Sequence, residues 1–351
     1  MRNAPFICIF LLSLTAWSCT DHFAGPRDPI PGSCTIFSAS MGGKVLFGNN
    51  EDYHVPDTYI WTEPAEEGQL GCLYLGFKDY AHQGGINEKG LCFDANALPA
   101  APLNPHSELP AAPRYPAPFE AYTMWAPVMM LRKAATVEEV IQLAVQYQRE
   151  NWYPISGGLK YQLNFADATG DGVVISVDES GELFFTRKKP EDRYLISTNF
   201  NRANPDNALE YPCVRYEKTQ QMLDGLSSDA DFTPDFVKNI LEAVHQEGLF
   251  SRTLYSNIFD LTAGKLYLYH GHQYDEEVVL DIAAELAKEA YVKPIEELFS
   301  EGTVNQARQA YRWQIFLLGS QIVGLSLLIF GLVFWRKQRR RKMQASGYKE
   351  R

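Results

Sequence analysis

Over much of the chain apolar and polar residues alternate in short runs that end at glycine. Thr35 to Ser40 alternates with the period of a strand, Met41-Gly42-Gly43 supplies a turn, and Lys44 to Gly48 resumes the alternation. This predicts an antiparallel pair. Leu163 to Ala166 and Val173 to Val177 flank Thr169-Gly170-Asp171-Gly172 in the same way, and a turn at Ser180-Gly181 leads into Leu183 to Phe185. Leu254 to Leu261 and Lys265 to Tyr269 flank Thr262-Ala263-Gly264.

The period becomes helical elsewhere. Thr136-Val137-Glu138-Glu139 forms a capping box, with Val140, Ile141, Ala144 and Val145 on one face behind it. Thr233-Pro234-Asp235 starts a second helix lined by Ile240, Leu241 and Val244 and stopped at Gly248. Glu277 to Tyr291 reads as a further helix. Strand groups with separate helical segments predict an α+β domain of packed sheets and outer helices. Seven prolines between residues 97 and 118 keep that stretch out of a sheet interior, as a surface loop or as a wall of a substrate mouth.

The two ends are patterned differently. Arg2, the apolar run Phe6 to Leu14 and Ala16-Trp17-Ser18 read as an export signal over residues 1–18. Cys19 follows it and opens the question of lipid attachment, although Trp17 is bulkier than the residue a lipoprotein signal places there. Residues 19–33 are polar and carry three prolines, which suits a leader. Near the other end, Ile315 to Phe334 holds 20 residues without a charge, close to the roughly 20 that cross a bilayer. Trp313 and Trp335 bracket it, so the membrane segment is 313–335, with 301–312 as linker and 336–351 as a basic tail. Basic residues stay on the cytoplasmic side, which puts the body, residues 34–300, on the exported side with the lipid bilayer as its anchor.

Charge sharpens this division. The chain of 351 residues has 32 basic and 43 acidic residues and a net charge of −11. Eight basic residues and one acid fall in 336–351, so residues 1–335 hold 24 basic and 42 acidic ones, a net −18. So acidic a body repels phosphate backbones and argues against a nucleic-acid partner. Cysteines stand at 8, 19, 34, 72, 92 and 213 with no C-x-x-C. Export permits a disulfide among Cys72, Cys92 and Cys213, and spacing does not select the pair.

Cys34 directly after a leader carries the chemistry. Cutting the Ser33–Cys34 bond would place an α-amine, with a pKa of about 7.7–8, beside a thiol of about 8.5. The amine can then take the thiol proton near neutral pH and return it to a leaving group, while the thiolate attacks a carbonyl and amide donors hold the oxyanion.

Cys34-Thr35-Ile36-Phe37 leading to Leu46-Phe47-Gly48-Asn49-Asn50-Glu51-Asp52 resembles the start of mature choloylglycine hydrolases, penicillin V acylases and their acyltransferase and linear-amide hydrolase relatives. Gly84-Gly85-Ile86-Asn87-Glu88-Lys89-Gly90-Leu91 with Asn96, the segment Tyr194 to Asn199, and Arg215 within Pro212-Cys213-Val214-Arg215-Tyr216 resemble later signatures of that family, in order. The resemblance implies an N-terminal-nucleophile hydrolase with a four-layer αββα sandwich, here with one C-terminal transmembrane helix. It implies Cys34 as nucleophile after autoproteolysis, Asp52 orienting its amine, Asn199 and Asn96 at the oxyanion, Arg215 as electrostatic support, and a small-molecule N-acyl amide as substrate. Asn49 departs from the family, which usually has arginine there, so weaker thiolate activation or another substrate is expected.

Three readings remain open: an amidase or an acyltransferase resolving the same thioester, a non-catalytic ligand-binding ectodomain, and a Cys–His thiol enzyme using His54 or His245. No cofactor or metal pattern is complete. His270-Gly271-His272 supplies two imidazoles without a third ligand, and Asp167-Ala168-Thr169-Gly170-Asp171-Gly172 lacks the closing glutamate of a calcium loop. The sequence leaves the oligomeric state open, a homo-oligomer included.

Overall fold

A computed structural model describes residues 34–347 apart from 79, 100, 116–122, 151, 153–159, 205–212 and 249–250. The export signal, the leader with Cys19, and the last residues of the basic tail lie outside the described residues.

The described strands are β1 (Thr35–Met41), β2 (Lys44–Tyr53), β3 (Thr58–Glu63), β4 (Cys72–Phe77), β5 (Ala81–Asn87), β6 (Cys92–Leu98), β7 (Lys160–Ala166), β8 (Gly172–Val177), β9 (Leu183–Arg187), β10 (Tyr194–Ser197), β11 (Arg252–Asp260), β12 (Lys265–His270), β13 (Gln273–Asp281) and β14 (Val292–Pro294). They form a sheet in the order β10-β1-β2-β11-β12-β13 and a second in the order β14-β3-β4-β5-β6-β7-β8-β9. Every pairing among them is antiparallel.

The helices are α1 (Ala126–Lys133), α2 (Val137–Gln146), α3 (Val214–Asp224), α4 (Pro234–Ala243), α5 (Ile282–Leu286) and α6 (Glu301–Gly347). Three buried clusters define the layers. Met129, Leu131, Val140 and Ala144 of α1 and α2 meet Phe93, Phe165 and Val173 on the outside of the larger sheet. Leu223, Val237, Ile240 and Leu241 of α3 and α4 meet Phe37, Leu46 and Ile258 on the outside of the smaller sheet. Cys34, Val45, Phe47, Leu75, Cys92 and Phe259 fill the space between the sheets. This is the four-layer αββα sandwich expected from the sequence.

The β1–β2 hairpin forms as predicted, with Gly42 and Gly43 in the left-handed region at φ +58° and +78°. Thr136 caps α2 by accepting from the Glu139 N–H, and Thr233 caps α4 from the Phe236 N–H. Two helical details differ. Val145 is exposed, because the buried face of α2 is Val137, Val140 and Ala144. Helix α4 ends at Ala243 rather than Gly248.

The larger correction is Glu277 to Tyr291. Residues 273–281 are the edge strand β13, and only Ile282–Leu286 is helical, capped by Asp281. Val278 and Leu280 face the inter-sheet core while Val279 is exposed, a period of two. Charges crowd the segment because an edge strand exposes one face and blocks further pairing with them. The described part of the proline-rich stretch runs over the outer helical layer, where Leu103 and Tyr115 pack, and Asn104 N–H donates to Gly181 O at 2.9 Å.

Helix α6 is continuous through residues 301–312. Val304 is buried in the inter-sheet cluster, Arg308 pairs with Glu296 at 2.8 Å, and Arg252 donates to Gln314 at 3.2 Å. Past that point its apolar side chains are exposed, Trp313 and Trp335 among them, and it is long and apolar enough to cross a membrane. Apolar surface of that extent is stable in lipid rather than in water.

Candidate active site

Cys34 immediately precedes β1, which lies between β10 and β2 in the smaller sheet, where pairing with β2 sets Thr35 opposite Asn50. Alternation then sends the side chains of Asn49 and Glu51 between the sheets with Cys34, and those of Asn50 and Asp52 toward α3 and α4. Asn50 accordingly donates to Leu241 O at 2.8 Å. Asn49 is fully buried and donates to Asn257 Oδ1 at 3.3 Å, so an amide pair occupies the position where an arginine was expected from the family.

The five residues singled out from sequence converge. Arg215, in the first turn of α3, donates to Cys34 O and to Thr35 Oγ1, each at 2.8 Å, and to Asn199 Oδ1 at 2.9 Å. Its guanidinium lies 4.0 Å from Asp52. Asn96 on β6 donates to Cys34 O at 3.2 Å from the opposite sheet. Asn199, just past β10, also donates to Ala97 O at 2.8 Å and so ties its loop to β6. Asp52 accepts from Thr253 Oγ1 at 2.5 Å. Burial with several bonds to charged or amide groups fixes these side chains to single positions.

Residues not marked in the sequence complete the arrangement. Glu51 is 2% exposed, and the Cys34 thiol donates to its Oε2 at 3.7 Å. Asp94 on β6 is fully buried, with one oxygen accepting from the Ala95 N–H and the other without a hydrogen-bond partner among the described residues. Asn164 and Ser197 donate to Asn96 Oδ1 at 3.0 and 2.6 Å and aim its amide at Cys34. Gln162 donates to Ser197 Oγ, Thr198 O and Phe200 O and holds the loop that carries Asn199.

The glycine-rich signature proves to be structural support. A Cβ on Gly84 would sit 2.4 Å from Asp94 Oδ2, and one on Gly85 2.6 Å from the Tyr74 ring. Asn87 donates to Leu131 O and Ala134 O and accepts from Lys89 and Leu91, so it fastens the β5–β6 turn to the end of α1.

Three carboxyl groups, Glu51, Asp52 and Asp94, thus lie about Cys34, and of them Asp52 is the one beside the Arg215 guanidinium. Burial, then the charges of Glu51, Asp52 and Asp94, push the Cys34 thiol well above its ordinary range, against a hydrogen bond from the Asp52 backbone. Burial and then the charge of Asp52 raise Glu51 to about 8. Burial and then the charge of Glu51 carry Asp94 well above the carboxylate range. In the uncut chain the thiol is therefore protonated, and it is 4% exposed.

A cavity of about 300 Å³ lies between the start of α6 and the domain, lined by Arg252, His270, Arg308 and Tyr311 among others; Cys34 does not line it, nor a second cavity beside Arg187 and Arg193. The His245 ring contacts Glu242 O and Glu247, and the ring of His54 lies on Tyr53, so neither imidazole is engaged with Cys34. Arg252 donates to His272 Nδ1 at 3.2 Å, and Cys34, Cys72, Cys92 and Cys213 are all buried free thiols.

No protein-family model matches the sequence, and no curated protein matches it. Solved structures do match the fold. The penicillin V acylase from Agrobacterium tumefaciens superposes with a TM-score of 0.54 at 15% identity, over 74% of this chain and 90% of that one. A cysteine-to-alanine variant and an arginine-to-leucine variant of the conjugated bile acid hydrolase from Clostridium perfringens each give 0.53 at 16% identity, over 76% of this chain and 98% of theirs. The body of the chain therefore has the fold of those two proteins, the sandwich implied by the motif resemblance.

Proposed function

We propose that the chain is a membrane-anchored N-terminal-nucleophile hydrolase that cleaves a linear amide of an N-acyl compound through an acyl-thioester on Cys34. One observation carries the reading: Asp52, Asn96, Asn199 and Arg215 all gather about Cys34 and Thr35 at the head of the first strand, two of them on the Cys34 carbonyl oxygen. A structural β-strand start has no need of a buried arginine and two asparagines drawn from separate elements of both sheets.

In this reading self-cleavage frees the α-amine of Cys34, and that amine becomes the proton acceptor. The thiolate adds to the amide carbonyl, and side-chain amides of Asn199 and Asn96 steady the oxyanion. The amine then returns the proton to the departing nitrogen, and water resolves the thioester. Arg215 holds Cys34 and Asn199 in mutual register and offsets the nearby carboxylates. Residues 313–335 keep the body on the exported side, with the basic tail inside. The neighbours are a penicillin V acylase and a conjugated bile acid hydrolase, so phenoxyacetyl amides and amino-acid-conjugated acids are the first substrates to try.

Full-length protein in detergent, offered such a panel, should release the amine, and its intact mass should correspond to a chain beginning at Cys34. Cys34→Ala should show neither property. Hydrolysis surviving in Cys34→Ala would refute the reading. Binding without hydrolysis by both proteins would favour an anchored ligand-binding ectodomain.

A further inference from the structure

Self-cleavage poses a problem that turnover does not. In the mature chain the α-amine accepts the thiol proton, but before the cut that nitrogen belongs to the Ser33–Cys34 amide and its lone pair is delocalised. Another group must take the proton. The uncut thiol contacts the Glu51 carboxyl at 3.7 Å on one side and the Asp52 backbone N–H on another. Glu51 has no ion-pair partner among the described residues and is almost wholly buried. A buried carboxyl without a cation is costly to a fold, so structure alone gives no reason for it there.

We propose that Glu51 is the proton acceptor for the Cys34 thiol in the cutting of the Ser33–Cys34 bond, an assignment that rests on the N-terminal-nucleophile reading above. The S–H proton passes to Glu51 Oε2 and the thiolate adds to the Ser33 carbonyl carbon. As the C–N bond breaks, Glu51 gives the proton to the departing nitrogen, which becomes the α-amine, leaving a Ser33–Cys34 thioester. Water then adds to that carbonyl, the C–S bond breaks, one water hydrogen restores the thiol, and the leader departs with a carboxyl end. The cut consumes one water, and Glu51 ends as it began.

The surroundings suit the task. Glu51 on β2 faces Cys34 and the neighbouring Asp52, Asp94 on β6, Tyr161 on β7 and Tyr255 on β11, with Arg215 of α3 beyond the Cys34 carbonyl. An ordinary glutamate is far too weak a base for a buried thiol, whereas burial and the charge of Asp52 bring Glu51 to about 8. Once the α-amine exists, the carboxylate is no longer the only acceptor.

The test follows the full-length chain, synthesised cell-free into liposomes, by intact mass over time between pH 6 and 9. Wild type should lose its leader at a rate that rises with pH and levels above about 8. Glu51→Gln should be slower by about 100-fold or more and lack the rise, while Glu51→Asp should be slow but keep it. In a parallel chain, residues 28–33 are replaced by the recognition sequence of a site-specific protease that cuts before Cys34. Supplying that cut should give Glu51→Gln amide hydrolysis that it lacks uncut. Leader loss by Glu51→Gln at the wild-type rate overturns the assignment alone, as does failure of the supplied cut to restore hydrolysis. A wild-type chain that hydrolyses amides with its leader in place, or never sheds it, overturns the maturation reading itself and the assignment with it.

Discussion

Along β2 the side chains that enter the space between the sheets read Val45, Phe47, Asn49, Glu51, and β11 runs beside it from Phe259 to Asn257. On the facing sheet β6 passes from Cys92 through Asp94 to Asn96, and β7 from Ala166 through Asn164 to Gln162. The same four strands therefore build an apolar end and a polar end of one layer, each buried. The apolar end needs no further explanation, since each large side chain removed from water contributes about 1.5–3 kcal/mol. The polar end opposes folding unless its groups are bonded. Breaking the pattern of a core on four adjacent strands at the same level, around one cysteine, is what a site looks like when chemistry rather than packing selects the residues.

The sharpest way to separate the ends is to remove one side chain from each. Cys34→Ala should abolish amide release entirely and leave the leader attached, read by product assay and intact mass, with little loss of stability because one sulfur is deleted. Phe47→Ala should do the reverse. Its ring is 1% exposed and lies 6.3 Å from that of Phe259, so truncation should cost about 3–5 kcal/mol in denaturant unfolding. The surviving folded protein should still turn over substrate.

Within the polar end, Asn199→Ala tests whether an amide donor acts in the reaction or only in the loop. Loss of an oxyanion donor lowers kcat by about 10²–10³-fold. A merely structural asparagine would lower stability through its bonds to Ala97 and Arg215 and leave kcat near wild type. Steady-state kinetics beside a melting curve tells the two apart.

How much of this was legible follows the same division. The β1–β2 hairpin was readable because alternation and two glycines agree, and it carries Cys34 and Asp52. Asn96, Asn199 and Arg215 came from motif resemblance, since an asparagine after a strand looks like a turn and an arginine on a helix looks exposed. Glu51 and Asp94 escaped notice because a charge within an alternating run reads as a solvent-facing residue. Only the opposed sheet shows that both faces of β2 and β6 are covered. Gln162 was hidden for the same reason. In β13 the error ran the other way: within Glu277 to Tyr291 the helix is confined to Ile282–Leu286, and the charged start of the segment belongs to an edge strand whose outward face tolerates charge.

The smallest effect, and the most direct probe of the polar end, is the pH dependence of stability. Glu51 titrates near 8 in the folded chain against about 4.3 in an unfolded one. Below about pH 4 both states hold the proton and the residue contributes no pH dependence. As pH rises from there toward 8 the unfolded chain releases the proton while the folded chain keeps it, so wild type loses stability across that window, and above 8 the loss levels off. Glu51→Gln keeps the shape but cannot ionise. Compared in a Cys34→Ala background, where both chains keep the leader, the melting temperature of the Glu51→Gln chain should therefore match its Glu51 counterpart near pH 4 and exceed it by on the order of 5 °C at pH 8. Asp94→Asn should act in the same direction, because its carboxyl is also raised by burial and by Glu51. If instead the Glu51→Gln chain melts lower than its counterpart at pH 8, the carboxylate is held by favourable contacts in the folded chain, and the polar end is a stabilising network rather than a strained site.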